Sequence, residues 1–378
     1  MARGKTSADS AEMEKLEWPN SWSPPWRSSR LVGHDAAEQV LLSAQQSGRL
    51  HHAWLLAGPR GIGKATLAWR FARFLLCLDE NQGGLFGSRA PEGLDVASDA
   101  PGRSLVDARS HPDLFHLRRT LHPDTGRMRS EISVEDVREL GQFMHMTPAM
   151  SQWRVAIVDS ADEMNRSSAN AILKILEEPP RKAVLLIVTH APGRLLPTIR
   201  SRCRKLVMHP LSDEVVAGLL AEFAPDAKAE ERADLSRLAG GSIGRALELA
   251  NAGSLSLYRE MVEVLATLPQ LDTPRLHNFS ERFARRGEEA NADWRSLNYL
   301  LDGWLKGLAL SFAKTGGATA IVPLEQGLHT RLLAAASLDR WIDAWEKVAH
   351  LLSRADAVNL DRKQTVLVSF LALQSAMR

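Results

Sequence analysis

Residues 58–65 have the composition and spacing of a phosphate-binding loop. They read Gly-Pro-Arg-Gly-Ile-Gly-Lys-Ala, which fits a glycine, four residues and Gly-Lys, except that Ala65 replaces the usual serine or threonine. Glycine lets backbone N–H groups curl around phosphate oxygens, and Lys64 would add a positive charge at the outer phosphates. The glycines are Gly58, Gly61 and Gly63. The pattern predicts descent from a nucleotide-binding loop, and a tight turn that binds nothing is the alternative.

The residue after the lysine argues against a working magnesium site. Ala65 has no hydroxyl with which to ligate Mg²⁺. Thr66 follows, but in a helix it is rotated by about 100° from position 65, so it cannot simply take over. We therefore expect no hydrolysis at this site, while binding of ATP or ADP without hydrolysis stays open.

A second acidic position follows an apolar run. Asp159 ends the sequence Val-Ala-Ile-Val-Asp, the pattern of a carboxylate that contacts Mg²⁺ from the end of a buried strand. The next residue is Ser160, which lacks the carboxylate that a general base needs. Asp162 and Glu163 lie beyond the strand end, and we do not expect them to point at the site. Helix or turn capping is the alternative role for Asp159.

These residues require strands and helices in alternation. Residues 52–57 form a short apolar run, and Arg154–Val158 and Ala183–Thr189 are rich in β-branched residues, so all three predict interior strands of a parallel sheet. Helical periodicity predicts helices over residues 36–47, 65–78, 134–145 and 166–178. A strand therefore precedes the phosphate-binding loop and a helix follows it, as such a loop needs.

The second half of the chain has a different pattern. After about residue 210 only helical stretches remain, beginning with residues 212–223, 228–238 and 243–251. This order predicts an α/β fold class followed by an all-α region. The polar residues 1–27, with prolines and tryptophans, predict a flexible leader. Residues 81–109, rich in Gly, Ser, Asp and Pro, predict a long surface excursion.

Composition excludes several classes of protein. The chain has 378 residues and a net charge of +2, and it contains no apolar run long enough for a membrane span. Its first 30 residues lack the apolar core of a signal peptide, so we expect a cytoplasmic location and no membrane partner. The two cysteines, Cys77 and Cys203, cannot build a four-cysteine zinc site.

The stretch from Asp159 to Cys203 resembles bacterial clamp-loader subunits of DNA polymerase III, which are AAA+ proteins. Residues 170–180 match N-A-x-L-K-x-L-E-E-P-P, and Ser201, Arg202 and Cys203 match the downstream S-R-C. Residues 31–34, 51–58 and 111–115 resemble one subunit type within that family. The resemblance covers roughly residues 30–250.

The resemblance implies three domains after the leader. They are an AAA+ P-loop parallel-sheet domain over residues 28–209, a small helical lid over 210–253 and a helical collar for oligomerisation over 254–378. Many family members carry a four-cysteine zinc module near residues 79–110, but this stretch has no cysteine, so we expect no zinc.

The resemblance also assigns roles to three residues. Arg202 is implied to be an arginine finger, offered in trans to the ATP site of a neighbouring subunit; a surface arginine or one paired within the fold is the alternative. Thr189 corresponds to a sensor residue at a strand end. Arg245, in Gly-Ser-Ile-Gly-Arg-Ala-Leu, corresponds to a second sensor in the lid, with a solvent-exposed arginine as the alternative.

The implied partners are the gamma/tau and delta subunits in a hetero-pentamer, and the sliding clamp and primer-template DNA through that complex. The implied location is the bacterial cytoplasm, at the nucleoid during replication. The chain would be a non-polymerising subunit of the polymerase holoenzyme, without ATP turnover of its own. An autonomous AAA+ ATPase is the rival hypothesis, and a scaffold with an idle Arg202 is a third.

A cluster of basic residues could also attract DNA phosphates: Arg194, Arg200, Arg202, Arg204 and Lys205.

Overall fold

The computed structural model describes residues 23–78, 91–120, 128–285, 287–313, 321–325 and 327–377. The chain divides into two compact units, with the division between Leu211 and Ser212. The first unit contains the strands and the candidate nucleotide site. The boundary predicted between residues 209 and 210 lies two residues away.

The first unit is built on a five-stranded parallel sheet with the order β2-β3-β4-β1-β5. Strands β1, β3 and β4 are entirely buried, as expected for β-branched and apolar runs covered on both faces. The strands are β1 Ala53–Ala57, β2 Leu114–Leu117, β3 Arg154–Val158, β4 Ala183–Thr189 and β5 Arg204–Val207. Strand β1 lies between β4 and β5, and its pairing with β4 brings the loop that follows it beside the end of β4.

Helices pack on both faces of this sheet. Six α-helices belong to the described part of the first unit: α1 Asp35–Gln46, α2 Lys64–Leu76, α3 Arg103–Asp107, α4 Val134–His145, α5 Arg166–Glu177 and α6 Pro197–Arg202. Side chains of α1 and α2 form one hydrophobic core with alternate residues of the strands, and side chains of α4 and α5 form a second core on the opposite face. The α/β class expected from the sequence is confirmed.

The predicted leader, residues 1–27, and the predicted surface excursion, residues 81–109, both include residues that pack in the hydrophobic core. Trp26 is 2% exposed and packs against Trp69 and His116, with the Arg109 guanidinium 4.2 Å from its ring centroid. Because this indole lies in the core, residues 23–27 belong to the α/β unit rather than to a flexible leader. Within the excursion, Leu94 and Val106 are also buried in that core. Residues 1–22 and 79–90 lie outside the described residues.

The second unit is helical throughout its described residues. Its α-helices are α7 Asp213–Phe223, α8 Ala229–Ala239, α9 Ile243–Asn251, α10 Ser254–Leu265, α11 Thr273–Glu281, α12 Glu288–Ala313, α13 Leu328–Ala335, α14 Leu338–Val358 and α15 Arg362–Ser375. The expected change from α/β to all-α is therefore confirmed, while its division into lid and collar stays a prediction. Across the described residues, the search for membrane-spanning helices finds none that is long and apolar enough.

Candidate functional site

The phosphate-binding loop connects the end of β1 to the start of α2. The Gly58 amide donates to the Thr189 carbonyl oxygen at 3.4 Å, which ties the loop to the end of β4. A Cβ on Gly58 would lie 2.3 Å from the Met208 carbonyl oxygen, and one on Gly63, at φ +106°, would lie 2.8 Å from Leu31 Cδ1. Close packing against backbone therefore favours glycine at position 58, and the positive φ favours glycine at position 63, whether or not a phosphate is bound.

His34 supports the loop from outside. This buried ring donates from Nε2 to the Ile62 carbonyl oxygen at 2.6 Å. Burial holds the pKa of His34 below its usual value, so the ring is neutral at physiological pH. Residues 31–34, which contributed to the family resemblance, thus lie directly against the glycine loop.

Lys64 is the first residue of α2 and is almost completely buried, at 2% exposure. Its Nζ donates to the Pro59 carbonyl oxygen within the loop. Burial lowers the pKa of Lys64 to about 8, against the opposing attraction of Asp159 and then Asp162. The lysine carries its charge at neutral pH, in the position predicted for a phosphate contact.

Asp159 and Ser160 follow β3 directly. The Asp159 amide donates to the Leu117 carbonyl oxygen of the neighbouring strand at 2.8 Å. Ser160 is buried, and its hydroxyl donates to Asp162 Oδ2 at 3.1 Å. The position that would carry a water-activating carboxylate therefore holds a hydroxyl that is directed at another side chain.

From the sequence we did not expect Asp162 to point at the site, and for Asp162 this expectation is wrong. Its carboxylate accepts from the Thr189 hydroxyl at 2.6 Å and from the backbone amides of His190 and Ala191. Burial by itself raises the pKa of Asp162, but these hydrogen bonds outweigh burial and hold the pKa below its usual value. An acidic residue just after a strand gives no periodic signal, so only the structure reveals this contact.

The contact with Asp162 changes the interpretation of Thr189. Thr189 is 0% exposed at the carboxyl end of β4, and its one hydroxyl hydrogen is given to Asp162. The predicted sensor residue lies beside the loop, as expected, but its donor is engaged inside the protein. A contact from this hydroxyl to a γ-phosphate would require the hydrogen bond to Asp162 to break.

The metal ligands that a working site needs are incomplete. Position 65 carries a methyl group, and Thr66 is the following residue on α2. A search of the described residues finds no group of three or more histidine, cysteine or acidic side chains that could hold a metal ion. Asp159 and Asp162 both attract the Lys64 ammonium, but the side chain at position 65 has no oxygen with which to ligate Mg²⁺, so the usual ligand set is not complete.

Arg202 is the last residue of α6. Its Nη1 donates to the Thr198 carbonyl oxygen at 3.1 Å, and its Nη2 lies 3.0 Å from Glu177 Oε1. The side chain is 37% exposed, so a ligand can reach the guanidinium from solvent. The structure thus shows an arginine that is paired within the fold and also accessible.

Arg245 lies in the second unit. Its Nη1 is 2.7 Å from Glu248 Oε2, and its guanidinium carbon is 4.1 Å from the ring centroid of Tyr299. Arg245 is therefore held by an ion pair and by a cation–π contact rather than being free in solvent. Its approach to a γ-phosphate stays a prediction.

The members of the basic cluster have different surroundings. Arg204 and Lys205 are exposed on the edge strand β5, and the Arg204 guanidinium carbon lies 4.8 Å from the ring centroid of Trp54. Arg202 lies on α6, as described, and Arg194 and Arg200 are exposed. A DNA contact by these residues stays a prediction.

Comparison with known proteins identifies relatives of this chain. Residues 33–212 match the family model described as DNA polymerase III, delta subunit. The DNA polymerase III subunit delta' of Pseudomonas aeruginosa is 35% identical over 227 residues, which cover 60% of this chain and 64% of that protein. The Escherichia coli delta' subunit is 30% identical over 228 residues, covering 60% and 63%.

A related subunit type matches a similar length of the chain. The DNA polymerase III subunit gamma/tau of Mycobacterium bovis is 33% identical over 202 residues, which cover 53% of this chain and 31% of that protein. The alignments span less than two thirds of both delta' relatives. The family match and the two delta' relatives agree with the resemblance read from residues 159–203, and the chain is similar to delta-prime subunits of DNA polymerase III over 60% of its length.

Proposed function

We propose that this chain is the delta-prime subunit of a bacterial clamp loader, which helps to load the sliding clamp onto primed DNA. In this role it acts as a stator: it supplies Arg202 to the ATP site of a neighbouring subunit and hydrolyses no ATP itself. Its partners would be the gamma/tau and delta subunits in a hetero-pentamer, in the bacterial cytoplasm, with clamp and DNA bound through the complex.

The observation that carries this proposal is a contrast between two sites. The chain's own site lacks the Mg²⁺ ligand at Ala65 and the carboxylate at Ser160, and its Thr189 hydroxyl is donated to Asp162. Arg202, which the resemblance assigns to the ATP site of a neighbouring subunit, lies at the end of α6, and its side chain is 37% exposed. The chain therefore lacks side chains that ATP hydrolysis needs at its own site, but it has the arginine that a neighbouring subunit's site would use.

The chemistry of Arg202 suits the proposed task. A guanidinium presents a planar fork of N–H donors that can meet two phosphate oxygens at once. Such a group offsets the negative charge that develops on the γ-phosphate during cleavage. The neighbouring subunit would supply the phosphate-binding lysine, the Mg²⁺ ligands and the water-activating carboxylate.

The intact glycine loop supports binding of ATP or ADP without hydrolysis. The loop has no Cβ atom at Gly58, Gly61 and Gly63, so phosphate oxygens can approach its backbone N–H groups, and Lys64 supplies a positive charge. We include Thr66, Asp159, Thr189 and Arg245 among the candidate contacts of this degenerate site. The proposal requires no zinc and no other cofactor.

Replacement of Arg202 tests the proposal in a reconstituted loader. Arg202→Ala should lower the steady-state ATP turnover of the complex and leave its assembly unchanged. Finger arginines contribute about 10³–10⁵ to turnover at the site that receives them, and the total falls less because other sites remain. Phosphate release measures turnover, and size-exclusion chromatography measures assembly.

Arg181→Ala is the matched control, because Arg181 is exposed just beyond α5. It should leave turnover at the wild-type level. If Arg202→Ala also leaves turnover unchanged in an assembled complex, the chain is a scaffold with an idle arginine and the proposal fails.

A further inference from the structure

Two sequence motifs that lie far apart in the chain meet in the structure. Glu177 belongs to the N-A-x-L-K-x-L-E-E-P-P segment and ends α5, and Arg202 belongs to S-R-C and ends α6. Glu177 Oε1 lies 3.0 Å from Arg202 Nη2. The contact therefore joins the last residues of two neighbouring helices.

The backbone below both side chains is fixed by one hydrophobic core. Leu176, beside the glutamate, is 3% exposed, and Ile199 and Cys203, on either side of the arginine, are 0% and 9% exposed. Because these three residues pack in the same core, the two helix ends cannot shift independently. The freedom that remains is in the long side chain of Arg202 itself.

Two contacts restrict that side chain and leave donors for a ligand. Glu177 engages Nη2 and the Thr198 carbonyl oxygen engages Nη1. A guanidinium has five N–H donors, so three remain available for phosphate oxygens. An arginine without these contacts would lose more rotamer freedom when it binds a phosphate.

We propose that Glu177 is a positioning residue, which holds the Arg202 guanidinium in the orientation that meets the neighbouring subunit's γ-phosphate. This inference rests on the proposed role of Arg202 in trans. Glu177 is 50% exposed and is not part of the chain's own nucleotide loop. It acts through Arg202 and does not touch the nucleotide.

A double-mutant cycle in the reconstituted loader tests this role. The four complexes contain wild type, Glu177→Ala, Arg202→Ala and the double variant, each checked for assembly by size-exclusion chromatography. Glu177→Ala should lower kcat at the receiving site by about 2- to 5-fold, the upper part of the range for an exposed ion pair, and leave KM for ATP unchanged. The double variant should match Arg202→Ala, because a residue that acts through Arg202 has no effect without it.

Two further variants separate positioning from general structure. Glu178→Ala removes the adjacent exposed carboxylate and should leave kcat unchanged. Glu177→Gln keeps an acceptor oxygen and should recover part of the loss seen with alanine.

The outcomes distinguish this inference from the proposal on which it rests. If Arg202→Ala lowers turnover but the Glu177→Ala loss adds to it fully, Glu177 does not act through Arg202 and the inference is wrong. An unchanged kcat in Glu177→Ala also overturns the inference. An increased kcat overturns it as well, because Glu177 would then compete with phosphate for the Arg202 guanidinium. If Arg202→Ala leaves ATP turnover unchanged, both this inference and the proposed function are wrong.

Discussion

At the scale of single residues, the Asp162 carboxylate organises the end of β4. It accepts the Thr189 hydroxyl and the amides of the next two residues, and it attracts the Lys64 ammonium. Motifs in the sequence assigned Gly58, Lys64 and Asp159 to one candidate site, and the family resemblance added Thr189. The sequence placed Asp162 beyond the strand end and wrongly away from the site, since side-chain contacts leave no periodic pattern.

Removal of the Asp162 charge should destabilise the α/β unit. Asp162→Asn should lower the free energy of unfolding by about 2 kcal/mol at pH 7, because hydrogen bonds to an ionised acceptor are lost. The pKa of Asp162 is lowered in the folded state. The contribution of its charge to the free energy of unfolding is therefore complete above the unfolded pKa of about 3.9, and it is lost as pH falls through the folded pKa. Urea unfolding from pH 7 to pH 3 measures this.

The difference between wild type and Asp162→Asn should therefore be constant near neutral pH and shrink below about pH 4. Asp99→Asn, which changes an exposed carboxylate in the same unit, should show no such difference. A gap between wild type and Asp162→Asn that grows as pH falls would show that the sign of the charge effect is wrong.

At the scale of elements, the buried strands and helices were predictable and the sheet edges were not. Strands β3 and β4 and helix α4 have the predicted bounds, since uninterrupted apolar runs or clear helical periodicity marked each of them. The two outer strands, β2 and β5, were not assigned. Each has only four residues, and β5 carries exposed Arg204 and Lys205, so its composition resembles a charged turn.

The N-terminal segment shows a second limit of sequence reasoning. The prolines around Trp26 correctly argue against a helix, but irregular backbone can still be buried. The indole of Trp26 fills the space beside Trp69, a residue more than 40 positions later in the chain. A tertiary contact of this kind cannot be read from local composition.

The glycine loop should be sensitive to a methyl group even without nucleotide. Gly58→Ala places a Cβ 2.3 Å from the Met208 carbonyl oxygen, and relief of this overlap should cost about 1–3 kcal/mol of unfolding free energy. Chemical denaturation of the purified chain without nucleotide measures the loss.

Gly193→Ala is the matched control for this change. A Cβ on Gly193 meets no atom within 4 Å, so this variant should stay within about 0.5 kcal/mol of wild type. Equal stability of both variants would show that the loop persists for a reason other than packing.

At the scale of the whole molecule, the match to the family model and the compact α/β unit end at nearly the same residue. The family model ends at residue 212, and the α/β unit ends at Leu211. The helical unit that begins at Ser212 lies almost entirely outside that match, so its proposed lid and collar roles depend on the resemblance alone. Its fold class was predictable because helical periodicity is local, whereas its partners are not encoded in a local pattern.

The central claim is that the chain serves a neighbour's ATP site and turns over no ATP at its own. Phosphate release by the purified chain, with and without primed DNA, tests this claim most directly. Loss of the groups at Ala65 and Ser160, together with the engaged Thr189 hydroxyl, predicts no DNA-stimulated turnover. Sustained ATP turnover by the isolated chain, increased by primed DNA, would contradict the account.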